Sequence, residues 1–194
     1  AMLYGNQANV GYEYDGKTYS GKFKHMQGGG ALATCTYCHE VSARDHSFEV
    51  RLCQGCHGNL AQNGLYSIRA NRGDLNGNGN TAEPVRAELD GLAARLYAAI
   101  RDYADDTLGA PITYNEHSYP YFFNDPNDND QRDEGEGNYS SWDAALLKAA
   151  FNYQFVHKDP GAWAHNTHYA AQLLYDSIES LGGDLTGLVR APTN

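Results

Sequence analysis

The chain holds four cysteines, and all of them fall in one short stretch, CTYCHEVSARDHSFEVRLCQGCH, as Cys35-Thr-Tyr-Cys38-His39 and Cys53-Gln-Gly-Cys56-His57. Thiols paired in this way can exchange a disulfide, bind a soft metal ion, or add across the vinyl groups of a porphyrin. A thioredoxin-like pair needs a βαβ setting, and the surrounding sequence offers none. With residues 39–52 between the pairs, the spacing lies close to that of a zinc ribbon, so zinc is the serious competitor. Four thiolates, however, complete a tetrahedral zinc site and leave no task for a histidine directly after each pair. Both pairs have one. C-x-x-C-H is the attachment motif of c-type haem, in which the adjacent imidazole ligates the iron. The reading is two haem c groups, one on Cys35, Cys38 and His39 and one on Cys53, Cys56 and His57. With the thiols so engaged, no disulfide is expected.

Each iron has a second axial position. His25 and His46 precede His39 and His57 by similar stretches, which lets the chain fold back over each ring. His165 stands directly before Asn166, at the mouth of a helix, a rigid platform for an imidazole. His25, His46 and His165 are therefore three distal candidates for two positions, and the sequence does not rank them. Met26 is the chief alternative chemistry, since axial ligation can move a haem potential across roughly 0.8 V. His117 lies in a loop, and His157 and His168 lie on polar-looking faces of the last helices.

The elements that must position these groups are unevenly built. Hydrophobic residues make up 41% of the chain and tyrosine is frequent, yet Ile, Leu and Val are thin before residue 84. A segment so rich in Gly, Asn and Gln would struggle to form a core unaided, whereas a covalent macrocycle gives tyrosines and glycine-rich backbone a large apolar body to pack on. Aromatic and polar residues alternate from Tyr12 to Phe23, a signal for a short β-hairpin around Asp15-Gly16. QGGG reads as a loop, and short helical turns are expected around each C-x-x-C-H.

DLNGNGNTAE, residues 74–83, is similar to a calcium loop, with oxygen donors at Asp74, Asn76, Asn78, the Asn80 carbonyl and Glu83 and a glycine at the tight sixth position. It departs from the pattern at the twelfth position, where Val85 stands in place of a bidentate Glu. Val85, Leu89, Leu92, Leu96, Ala99, Ile100 and Tyr103 then form an apolar stripe at helical spacing, behind Pro84. Residues 105–139 read as a loop with an aromatic knot, Tyr119 to Phe123, and an acidic run taken as solvated, with a second cation site as the lesser alternative. One closing helix is expected to be capped near Ser140 or Ser141. The other is expected to be capped by Asn166 and to end at Gly182-Gly183, the two making an antiparallel hairpin. The expected fold is mainly α with much irregular structure, a haem-centred core, the N-terminal hairpin and three longer helices in the C-terminal half. It forms a single domain over 1–194, in which a helical segment (74–194) packs on a haem-binding segment (1–73).

The net charge of −10 argues against nucleic acid and against an anionic membrane surface. No apolar run reaches the roughly 18 residues of a membrane span. No signal peptide is visible, so the compartment must be inferred from chemistry. Haem attachment of this kind takes place outside the cytoplasmic membrane, which points to the periplasm or the cell exterior.

Taken together, the two C-x-x-C-H motifs, HSFEV between them, DLNGNGN, YPYFF and the closing NYQFVHKDPGAWAHNTHYAAQLLYDSIESL resemble the large multihaem c-type cytochromes of metal-respiring bacteria. The likeness is to their C-terminal region and runs from about Gly11 to Leu181. It implies haems with two histidine ligands, electron transfer in periplasmic or extracellular respiration, and His25, His46 and His165 in preference to the other histidines. It also implies redox partner proteins, other multihaem cytochromes, or a mineral or metal acceptor. The chain departs from that family in having only two attachment motifs, as a piece of a longer chain or a small member would. The competing function is an enzyme of the reductase or peroxidase type, or a haem-based gas sensor, either of which needs an open iron position.

Overall fold

The computed structural model describes residues 1–25, 35–39, 48, 50–58, 60, 64–69 and 74–193. His46, Met26 and the QGGG loop, all singled out above, lie outside the described residues. Two short helices carry the cysteines, α1 (Cys35–Cys38) and α2 (Val50–His57). Three longer ones follow: α3 (Val85–Asp102), α4 (Ala144–His157) and, after the single turn α5 (Ala162–His165), α6 (Thr167–Ser180).

The apolar stripe of α3 is buried from Val85 to Ile100, and Pro84 occupies the N-cap with its ring-fixed φ of −60°. Asp143, not Ser140 or Ser141, caps α4, its carboxylate accepting from Leu146 N. Asn166 caps α6, accepting from Tyr169 N. Gly182, at φ +71°, takes the left-handed turn that ends α6. Leu92, Leu96, Ile100, Leu146, Leu173, Leu174 and Ile178 meet between these three helices and are almost fully buried. At roughly 1.5–3 kcal/mol for each large aliphatic side chain buried, this is the main source of stability. The haem-centred core expected from the sequence is therefore not where the aliphatic side chains went. They are concentrated after residue 84, and the helices that carry them pack on one another.

Two expectations about strands are corrected. Residues 105–139 contain the one hairpin among the described residues, β1 (Ile112–Tyr114) antiparallel to β2 (Phe122–Asn124), with Thr113 opposite Phe123. The N-terminal hairpin does not form. Gly16 does make a turn at φ +76°, but the segments beside it do not pair with each other. Residues 1–25 instead run as a strap over α4 and α6, held by their buried polar side chains. Asn152 receives Tyr12 N–H (2.7 Å) on its carbonyl and donates to Tyr12 O (2.9 Å). Gln172 receives Ser20 N–H (2.8 Å), and Asn166 Nδ2 donates to Gly21 O (2.9 Å). Backbone groups that a hairpin would have satisfied are taken by side chains, which alternation in the strap cannot reveal.

Arg69 and Leu75 are tied to α3 by a buried charge. The Glu88 carboxylate is wholly buried, paired with Arg69, and accepts Leu75 N–H at 2.6 Å.

Candidate functional site

Each attachment motif winds as a helical turn. His39 N–H donates to Cys35 O (2.9 Å), and His57 is the last residue of α2. Cys35, Cys38 and Cys56 are exposed and Cys53 is half-buried. Among the described residues, which include all four, no group of His, Cys, Asp and Glu converges to hold a metal ion. The two motifs are nevertheless neighbours. Burial raises the Cys38 thiol above its ordinary range, and the nearby Cys53 and Cys35 add to the shift. His39 forms an isolated antiparallel bridge with Phe48, whose ring stands 6.1 Å away. Phe48, Val50 and Leu52 leave apolar surface open beside the thiols.

Two of the three distal candidates meet the motif histidines. The His25 and His57 rings have centroids 6.0 Å apart at 71°, and the His39 and His165 rings 6.2 Å apart at 49°. A metal–imidazole bond is about 2.0–2.1 Å and the centroid lies roughly 1.2 Å behind the bonded nitrogen, so two imidazoles across one ion stand about 6.4 Å apart. Edge-to-face aromatic pairs span the same range. The pairing is distinguished by its partners, since each motif histidine meets a histidine remote in the chain.

The local structure explains how those remote residues arrive. Asn166 is fully buried and acts twice, capping α6 through its carbonyl and holding Gly21 through its amide. His165 precedes it directly, and His25 follows the clamped strap, where Phe23 N–H donates to Leu3 O (2.9 Å). The other described histidines lie elsewhere. His157 stacks on Tyr153 (5.5 Å, 13°) and faces the Glu116 carboxylate at 3.2 Å. His117 is exposed, and His168 is buried within α6.

Comparison with known proteins agrees with this chemistry. The chain is 28% identical to the C-type polyheme cytochrome OmcB of Geobacter sulfurreducens and 28% identical to the C-type polyheme cytochrome OmcC of the same organism, each over 94% of its length. The chain is thus similar to polyhaem c-type cytochromes. It spans about a quarter of the length of either, 27% of OmcB and 26% of OmcC. No family model matches the chain, and no solved structure does.

Sequence reasoning missed two features beside His165. Asp159 Oδ2 lies 2.8 Å from His165 Nδ1, and its other oxygen accepts Gly161 N–H at 2.9 Å. A Cβ at Gly161 would stand 2.7 Å from the His165 ring, so only glycine leaves room for the imidazole there. The stretch DPGAWAH contains both signals, but its Pro-Gly reads first as a helix break.

The calcium expectation gains no support from loop 74–83. Asp74 accepts from Gly77 N (2.6 Å) and Gly79 N (2.5 Å), and the oxygens of Asn76, Asn78 and Asn80 accept from Asn78, Asn80 and Ala82 N–H groups. Glu83 receives the amide nitrogens of Asn76 (3.1 Å) and Asn78 (2.8 Å). Amide nitrogens thus stand where a cation would need amide oxygens. The acidic run closes in the same manner, with Asn127 and Asn129 donating to Asp133 (3.0 and 2.8 Å).

Proposed function

We propose that this chain is an electron-transfer module with two haem c groups, one iron held between His57 and His25 and the other between His39 and His165. The observation that carries the reading is the meeting of each motif histidine with a remote histidine at a separation that accommodates one metal ion. When bound, the haems supply one-electron oxidation and reduction at iron. The chain's own residues do the rest. Cys35 and Cys38, and Cys53 and Cys56, fix the two macrocycles. The two imidazole pairs would hold the irons, leaving no ligand position for a substrate or a gas. The same ligand set serves both oxidation states, so little reorganisation accompanies transfer. In this assignment His46 is not required.

The strap and helices hold one ligand of each pair, so the haem-binding and helical segments operate as a single unit. Compartment and partners follow from the chemistry: periplasmic or extracellular, exchanging electrons with redox proteins, other multihaem cytochromes, or a mineral or metal acceptor. No helix among the described residues is long and apolar enough to cross a membrane.

Optical and EPR spectra of the holoprotein test this reading, together with the denatured mass. Two haem units above the polypeptide mass and low-spin iron at both sites are expected. A high-spin component that binds carbon monoxide would favour a reductase, peroxidase or sensor. A mass without haem would reject the reading altogether. Calcium at Asp74, Asn76, Asn78, the Asn80 carbonyl and Glu83 is a separate proposal, which requires the Asn76 and Asn78 amides to turn over. Chelation that alters neither melting temperature nor proteolysis of this loop removes it.

A further inference from the structure

Asp159 belongs to no ligand set, yet its carboxylate is aimed at one ligand. Its side chain is 19% exposed, its Oδ1 is anchored by Gly161 N–H, and its Oδ2 accepts from His165 Nδ1 at 2.8 Å. Anchoring at one oxygen prevents the other from wandering, and a methyl group at Gly161 would stand 2.7 Å from the imidazole. Together they fix the His165 ring plane and leave Nδ1 as the protonated nitrogen, so Nε2 presents its lone pair. A carboxylate behind a metal-bound imidazole makes the ligand more basic and stabilises the higher oxidation state of the metal.

Resting on the bis-histidine reading above, the geometry points to Asp159 as a positioning residue that lowers the reduction potential of the iron held by His39 and His165. It therefore makes the two irons inequivalent. Asp159 meets His165 directly, so its influence falls chiefly on the centre that His165 serves. A molecule with a low-potential and a higher-potential centre gives an electron a preferred direction from one end to the other.

The test is a spectroelectrochemical titration of the full holoprotein and of Asp159→Asn, Asp159→Glu and His165→Ala. Asn keeps an oxygen acceptor for Nδ1–H but removes the charge. One of the two reduction waves should move to higher potential while the other stays in place, and both irons should remain low-spin by EPR. Asp159→Glu should return the displaced wave toward its original position. Both waves unmoved in Asp159→Asn, or both displaced equally, would overturn the assignment. His165→Ala separates this from the parent reading. If that variant turns one iron high-spin while Asp159→Asn moves nothing, only the role of Asp159 fails. If His165→Ala leaves both irons low-spin, the ligand assignment itself fails.

Discussion

At the scale of single residues, the attachment chemistry was legible because it is written in adjacent positions. Cys35, Cys38 and His39 declare their function by spacing alone, and so do Cys53, Cys56 and His57. The proposed distal ligands were only half legible. His25 and His165 could be named as candidates, but nothing in the sequence states that His25 crosses to the second motif and His165 to the first. Proximity along the chain suggests the opposite for His25. Replacing His25 with Ala should turn the iron on Cys53 and Cys56 high-spin, while His165→Ala affects the iron on Cys35 and Cys38. Peptide-resolved haem assignment combined with EPR checks which centre responds. The two centres should also differ in the unmutated protein. Ring planes at 71° leave the iron dπ orbitals closer in energy than planes at 49°, so the His25–His57 centre should give the more axial ferric signal.

At the scale of elements, caps and buried charges set the tolerances. The Asp143 carboxyl lies below its usual range, chiefly because it accepts the Leu146 N–H. A depressed native pKa adds stability above the unfolded value, and that stability is lost as pH falls through the native one. Asp143→Ala should therefore cost about 0.5–2 kcal/mol near neutrality and nothing additional in acid, measured as urea midpoints at both pH values. Glu88→Ala should be costlier. Removing one partner of a buried pair costs about 3–5 kcal/mol, and the same denaturation series would read it. The α3 stripe, the Asn166 cap and the glycine stop were readable because periodicity and capping are local. The strap and the 112–124 hairpin were not. The strap's partners, Asn152, Asn166 and Gln172, lie far along the chain, and β1 and β2 are too short to show a pattern.

At the scale of the whole molecule, tyrosine takes a place usually left to aliphatic residues. Tyr19, Tyr153 and Tyr169 are buried and their hydroxyls are raised well above the ordinary value, mainly by that burial. Burial and the neighbouring Asp130 push Tyr97 up to about 12. A raised native pKa contributes stability that is complete below the unfolded value near 10 and is lost as pH rises through the native one. The protein should therefore withstand acid better than strong alkali on this account. Between roughly pH 10 and 12, tyrosinate absorbance should rise together with loss of helical circular dichroism. A tyrosinate signal that rises fully before any helix is lost would contradict the burial of these rings.

The order of the four imidazoles along the chain has a mechanical meaning. His25 bonded to His57, and His39 to His165, each through one iron, would form two interleaved staples. Once the Asn152, Gln172 and Asn166 clamps on the strap yield, tension between the chain ends would pass through residues 25–39 and across the His39–His165 staple. The helical core between residues 57 and 165 would carry almost none of it. The strap before His25 and α6 beyond His165 would stay in the line of load.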